Sequence, residues 1–279
     1  MSLLHESSLD ELLTESDSIL SEAINKYSPS KIFACFSGGD DSLTTALVAS
    51  RHPQFTGCIH INTGIGIPAT NEYVRKTCHQ RGWPLVELHP TDKSYEEFVL
   101  EHGFPGPAAH RYCYVWLKER ALNWFVSNIA KNSTHDRVML VTGVRLQESR
   151  RRMGSVQKIQ RQGCKVWVAP ILYWSKRDCL NFIEREGATR NEVVELLHMS
   201  GECLCGAFAN NDKSNELGQV KLWFPKMAAR IEALQVKAKE AGVHCKWGEA
   251  PPEERRALTD EDFPLFSMCQ RCDAFLPSE

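Results

Sequence analysis

Ten consecutive residues, Phe33 to Ser42, constrain this chain more than any other stretch: Phe-Ala-Cys-Phe-Ser-Gly-Gly-Asp-Asp-Ser. The apolar run Ile32 to Phe36 predicts a buried parallel strand, and Leu43 to Ala49 predicts the helix that follows it. In the turn between them, two adjacent glycines let the backbone approach an anion, and Ser37 and Ser42 add hydroxyl donors. The helix N-terminus supplies unpaired N–H groups with a favourable dipole. Together these make a phosphate cradle. A carboxylate at Asp41 suits such a place when Mg²⁺ accompanies the phosphates, because Mg²⁺ takes oxygen ligands. The bland alternative is a helix capped by Ser or Asp after a Gly-Gly turn.

The order Ser-Gly-Gly-x-Asp-Ser is neither a Walker loop nor a dinucleotide-binding Gly-x-Gly-x-x-Gly. It resembles the pyrophosphate loop of the ATP pyrophosphatases, the superfamily that holds PAPS reductases, ATP sulfurylase subunits and tRNA thiolases. That resemblance implies ATP and Mg²⁺ as ligands, with Ser37, Gly38, Gly39, Asp40 and Ser42 at the nucleotide and Asp41 acting through the metal. Many ATP-cleaving relatives carry Lys where this chain has Asp40.

Composition bounds the rest. The 279 residues are 42% hydrophobic and 24% charged, with a mean hydropathy of −0.35, values of an ordinary globular protein. A formal charge of −2 gives no global attraction to nucleic acid, so any such contact is local. The sequence has no apolar run of spanning length and an acidic N-terminal stretch, so no membrane association and a cytoplasmic location are expected. Eleven cysteines, an odd number, argue against a disulfide framework and assign the thiols to packing, metal or sulfur chemistry.

Along the chain, Leu9, Leu12, Leu13, Leu20 and Ile24 recur at helical spacing, which predicts an amphipathic N-terminal helix over residues 1–28, set against the sheet edge or a partner subunit. Gly57 to Ile61, Leu85 to Leu88 and Val138 to Val141 read as further strands alternating with helices such as Thr70 to Gly82. Gln157 to Gln160 and Lys165 to Ala169 read as a hairpin around Gln162-Gly163. The expected fold is α/β, a parallel, five-stranded, doubly wound sheet; the resemblance implies that it is of the adenine nucleotide alpha-hydrolase type. Residues 29–190 form the nucleotide domain and 191–279 a helical, cysteine-bearing C-terminal region.

Two more segments lie at carboxyl ends of strands, where open α/β sheets bind ligands. Asn62-Thr63-Gly64-Ile65-Gly66-Ile67-Pro68 is similar to the Asp-Thr-Gly loop of PAPS reductases, which places Thr63 and Gly64 at the nucleotide. Thr142-Gly143-Val144-Arg145-Leu146-Gln147-Glu148-Ser149 and Arg152 resemble that family's second signature, with Gly143 and Glu148 at the nucleotide and Arg145 and Arg152 neutralising developing charge. Guanidinium suits this task because it binds phosphate oxygens bidentately and keeps its charge.

The last third carries Cys203-Leu204-Cys205 and Cys269-Gln270-Arg271-Cys272, four thiols able to converge on one metal centre. Zinc and a [4Fe–4S] cluster both accept four cysteines; the tight Cys-x-Cys pair and the family context favour the cluster. Cys245 and Cys113 are further candidates, and Cys113 reads first as a packed thiol, since free Cys packs as a small hydrophobe, with a cluster ligand or a persulfide carrier as the alternatives.

Assimilatory PAPS reductases end in a Glu-Cys-Gly-Leu-His element that this sequence lacks. The complete pyrophosphate loop, the second signature and the cysteine-rich end are most similar to the PAPS-reductase-like ATP pyrophosphatases of DNA phosphorothioation. That resemblance implies ATP cleavage to AMP and pyrophosphate, a cysteine desulfurase as sulfur donor, DNA and other phosphorothioation subunits as partners, and possible homo-oligomerisation. The basic stretch Arg150, Arg151, Arg152, Lys158, Arg161 and Lys165 could guide a DNA backbone or form a solvated hairpin. The competing functions are reduction of a sulfonucleotide and non-catalytic nucleotide binding.

Overall fold

The computed structural model describes residues 8–106, 113–131, 135–148, 156–207, 209 and 215–249. The predicted N-terminal helix spans Leu9–Tyr27 and begins in a capping box, where Ser8 accepts from the backbone of Glu11 and Glu11 accepts from that of Ser8. It ends at Ser28 in the left-handed region, ahead of Pro29.

The strands are β1 (Lys31–Cys35), β2 (Phe55–Ile61), β3 (Leu85–Leu88), β4 (Val138–Val141), β5 (Ile159–Gln162) and β6 (Lys165–Val168), in the order β3-β2-β1-β4-β6-β5. β1 runs parallel to β2 and β4, and β4 runs parallel to β6. The sheet has six strands rather than five, because the hairpin turning at Gly163 adds β5 to its edge antiparallel to β6. The fold is the expected α/β one. Ile32 to Ala34 and Val138 to Val141 are buried throughout, as suits strands covered on both faces. With β1 central, its carboxyl end opens where the chain turns toward β2 on one side and β4 on the other.

By its contacts the described chain divides into two compact units. The first draws on Met1–His60, Val74–Val86 and Phe125–Asn191. One buried polar network within it fixes the N-terminal helix: the Ser16 hydroxyl donates to the Pro170 carbonyl at 2.8 Å and accepts from the Trp174 indole N–H at 3.1 Å. Ser16 and Trp174 are both buried, so these groups have no water to fall back on.

The second unit draws on Ile61–Tyr73, Glu87–Trp124 and Glu192–Glu279. Its core gathers Tyr95, Phe98, Phe104, Leu117, Ile231, Leu234 and Trp247. Within the expected helical C-terminal region, Glu216–Trp223 and Pro225–Glu240 are separate helices, broken where Pro225 cannot continue the first. The Tyr95 hydroxyl donates to the Cys205 carbonyl and the Trp247 indole N–H to the Leu204 carbonyl, each at 2.8 Å, so the Cys-x-Cys segment is satisfied by the aromatic core.

Replacing Ser16 by Ala strands the Trp174 N–H and the Pro170 carbonyl in the interior. Urea denaturation followed by circular dichroism is expected to show a loss of about 1–3 kcal/mol.

Candidate functional site

The loop after β1 is shaped by its glycines. Gly38 lies in the left-handed region at φ +86, and its carbonyl is held by the Asn191 side-chain N–H at 3.0 Å. Gly39 precedes the helix Asp40–Ser50 and has no side chain to cap it, so no capping side chain takes up the first-turn N–H groups. The Ser37 hydroxyl donates to Ser42 at 3.1 Å, and Ser42 donates to the Gly39 carbonyl at 2.8 Å. These bonds close the turn on itself.

Asp40 and Asp41 occupy the first turn of that helix, where the dipole favours negative charge. The Arg145 guanidinium donates to Asp41 Oδ2 at 3.0 Å, and Arg145 is only 6% exposed. Lys176 Nζ reaches Asp41 Oδ1 at 3.2 Å and Asp40 Oδ2 at 3.1 Å. Arg190 grips Asp40 bidentately, Nε to Oδ1 at 3.0 Å and Nη2 to Oδ2 at 2.9 Å, and Asp40 is buried. Three cations therefore face two carboxylates. Burial works against the Lys176 ammonium, but Asp41 and Asp40 outweigh it and hold its pKa above that of an ordinary lysine. Burial, with the Asp41 charge nearby, pushes the Cys179 thiol up to about 12, so it stays neutral.

The second signature is built against this loop. A Cβ on Gly143 would lie 2.8 Å from the Asp41 backbone carbon and oxygen, so only glycine permits that approach. The backbone bonds from Thr142 N to the Val168 carbonyl and from Leu146 N to the Leu172 carbonyl, both 2.8 Å, fix the segment that presents Arg145. Glu148 closes the short 3₁₀ turn Leu146–Glu148. Arg152, like Arg150 and Arg151, lies outside the described residues.

Ser37 to Ser42, Gly143 and Arg145 thus come together in the first unit. Lys176, Arg190 and Asn191 join them unannounced. Lys176 opens the helix Lys176–Arg185 behind the cap Ser175, while Arg190 and Asn191 lie beyond its end, and no motif marks any of the three. The basic hairpin is less available than its sequence suggests. Lys165 is buried and lies over the Trp167 ring, Lys158 pairs with Glu15 at 3.4 Å, and Arg161 bonds its own turn at the Gly163 carbonyl.

In the second unit, the Thr63 hydroxyl is buried and donates to the Glu202 carbonyl at 3.0 Å. Gly64 has φ +75; its N–H donates to Asn62 Oδ1 at 3.1 Å and its carbonyl accepts from Arg230 at 2.7 Å. Residues 65–67 lie edge to edge with 201–204 through the bonds from Ile67 N to the Gly201 carbonyl at 2.7 Å and from Leu204 N to the Ile65 carbonyl at 3.1 Å. Beside them Lys118 and Glu202 form an ion pair of 2.9 Å with side chains 2% and 7% exposed. Lys118 comes from a π-helical turn, Val115–Glu119, a local widening common at functional positions. The Cys203 thiol is hydrogen-bonded with Cys205, which with burial raises its pKa well above the ordinary value. Cys113 is buried in the same core, against which Cys203 and Cys245 pack. Cys269 and Cys272 lie outside the described residues; among the described ones no group of three or more His, Cys, Asp or Glu is disposed to hold a metal ion.

Residues 31–198 match the phosphoadenosine phosphosulfate reductase domain. The chain belongs to that family. No curated protein matches it significantly. Among solved structures it is similar to the PAPS reductase of Candida auris, at 19% identity over 70% of this chain and 93% of that one, with a TM-score of 0.48. It is also similar to the FMN adenylyltransferase of Candida glabrata, at 16% identity over 71% of this chain and 65% of that one, with a TM-score of 0.49. A third is the U34-tRNA thiolase of Methanococcus maripaludis with its [4Fe-4S] cluster, at 12% identity over 84% of this chain and 80% of that one, with a TM-score of 0.43.

The Lys118–Glu202 pair gives a test of the second unit. Lys118→Ala leaves a buried carboxylate uncompensated and is expected to cost about 3–5 kcal/mol in chemical denaturation, whereas Lys118→Met with Glu202→Leu costs far less.

Proposed function

We propose that this chain is an ATP pyrophosphatase that attaches AMP to an acceptor phosphate so that sulfur can replace one of its oxygens, the acceptor being a DNA backbone phosphate. The observation that carries the reading is the complete Ser37-Gly38-Gly39-x-Asp41-Ser42 loop at the carboxyl end of β1, with Asp41 paired to Arg145 of the second signature.

In this mechanism the acceptor oxygen bonds to the α-phosphorus of ATP. The bond from that phosphorus to the bridging oxygen breaks, and its electron pair departs with pyrophosphate. The loop backbone and the Ser37 and Ser42 hydroxyls hold the β and γ phosphates, and Arg145 stabilises the charge that develops on the leaving group. Arg152 serves the same end. Asp40, Gly143 and Glu148 complete the nucleotide site. Mg²⁺ fits beside Asp41, a hard carboxylate at a helix start, and when bound would neutralise phosphate charge. AMP makes a poor leaving oxygen a good one: the terminal sulfur of a cysteine persulfide loaded by a cysteine desulfurase bonds to the acceptor phosphorus as the bond to the AMP-bearing oxygen breaks, and a second thiol then cleaves the S–S bond, releasing the phosphorothioate and leaving a disulfide.

Cys203 and Cys205 fit a soft metal centre, since the two thiols already meet; Cys269 and Cys272 would complete a [4Fe–4S] cluster. Of the described part of the basic stretch, Arg161 is the exposed basic residue of the hairpin and the one suited to a DNA backbone. No described helix is long and apolar enough to cross a membrane.

The family match also favours a second reading, reduction of a sulfonucleotide. It predicts sulfite release from PAPS with a dithiol reductant and no pyrophosphate from ATP.

Asp41→Ala is expected to lower pyrophosphate release from ATP by at least about a hundredfold with an unchanged circular dichroism spectrum. Turnover equal to wild type removes Asp41 from the chemistry. Anaerobic purification is expected to give brown protein with iron and acid-labile sulfide, both lost in the Cys203→Ser, Cys205→Ser double variant. Colourless protein with stoichiometric zinc would establish the other metal.

A further inference from the structure

The pyrophosphate loop carries an electrostatic contradiction. Its helix starts with two carboxylates, Asp40 and Asp41, where a dense polyanion is meant to sit. Unless cations intervene, each acidic group repels the phosphates. Among the described residues three cations are present, and their commitments differ. Arg145 is nearly enclosed and presented by a backbone-fixed segment. Arg190 is spent on Asp40 through two parallel bonds to a buried carboxylate, a geometry that holds the guanidinium in place. Lys176 is different. Its ammonium sits between the two carboxylates at 3.1 and 3.2 Å, yet its side chain is 47% exposed.

The root of Lys176 is fixed. Ser175 caps the helix Lys176–Arg185: its hydroxyl accepts from Asp178 N at 3.1 Å, and the Asp178 carboxylate accepts from Ser175 N at 2.8 Å. Trp174 just before it is buried. The four-carbon stem therefore swings from a stationary base, and an ammonium re-forms its bonds in any direction, as a planar guanidinium does not.

We propose that Lys176 is a phosphate-binding residue: its ammonium leaves the Asp40–Asp41 pair and moves onto the β and γ phosphates, following the charge onto the departing pyrophosphate. Asp40 and Arg190 form the fixed half of this arrangement. Asp40 parks the lysine beside the loop while no phosphate is bound, and Arg190 keeps Asp40 compensated once the lysine leaves. This rests on the ATP pyrophosphatase reading of the same loop.

The test uses the full chain and two readouts: calorimetric binding of inorganic pyrophosphate in the presence of Mg²⁺, and steady-state pyrophosphate release from ATP. Lys176→Gln is expected to weaken pyrophosphate binding by roughly ten- to a hundredfold, the loss for one hydrogen bond to a charged group, and to lower kcat as well as raise KM. Lys176→Arg should recover part of both. Lys221→Gln, which removes a surface lysine of the second unit, should match wild type. The melting temperature without ligand separates misfolding from lost binding, and the stabilisation added by pyrophosphate should shrink in Lys176→Gln alone. Wild-type pyrophosphate affinity in a folded Lys176→Gln protein overturns the inference and leaves the pyrophosphatase reading standing. A wild-type protein that neither binds pyrophosphate nor releases it from ATP overturns both.

Discussion

The ion pair between Asp41 and Arg145 is the interaction on which the rest of the first unit's site depends. It joins the turn after β1 to the turn after β4, two neighbouring strands whose carboxyl ends are adjacent only because the sheet order puts β1 at the centre. For that pair to form, the backbone of one turn must touch the backbone of the other, which is why position 143 has no side chain. Everything else at the loop is arranged around the charges so gathered. The helix dipole tolerates the two carboxylates, the enclosed arginine and the gripped Asp40 fix the geometry, and the half-exposed lysine is the adjustable member.

Much of this was legible in the sequence because it is local. Strand, glycine turn and helix follow one another without interruption, so the cradle over Ser37 to Ser42 is written in consecutive residues. Gly143 and Arg145 were legible for the same reason, as a short run at the end of an apolar strand. Lys176, Arg190 and Asn191 were not. Each is a common polar residue in a polar stretch, and only the packing of the helix Lys176–Arg185 and the segment beyond it onto the loop gives them a role. The sixth strand was half legible: the hairpin can be read from Gln162-Gly163, but that it pairs into the main sheet depends on register with β4 and β6.

The second unit shows the limit of reading motifs by position. Thr63 looks like a ligand from its place after β2, and its hydroxyl is engaged with the Glu202 carbonyl, where it helps to stitch the Cys203-x-Cys205 segment to the loop. The bonds between residues 65–67 and 201–204, and the donors from Tyr95 and Trp247, make that segment part of a core rather than a surface clip. The cysteine spacing announced chemistry, but its setting among aromatic side chains and a buried ion pair is a property of tertiary packing.

The widened turn at Val115–Glu119 bears on how this interior keeps time. Buried positions on that helical run come in pairs, Cys113 with Tyr114, Leu117 with Lys118, and Ala121 with Leu122, each pair four residues after the last. An ordinary helix advances 3.6 residues per turn, so a repeat of four would drift round the axis and carry the later pairs toward solvent. One looser turn absorbs the surplus and resets the phase. The lysine thus reaches the interior by a change of helical pitch, and a lineage that lost a single residue there would have to surrender either its thiol or its ammonium to the outside.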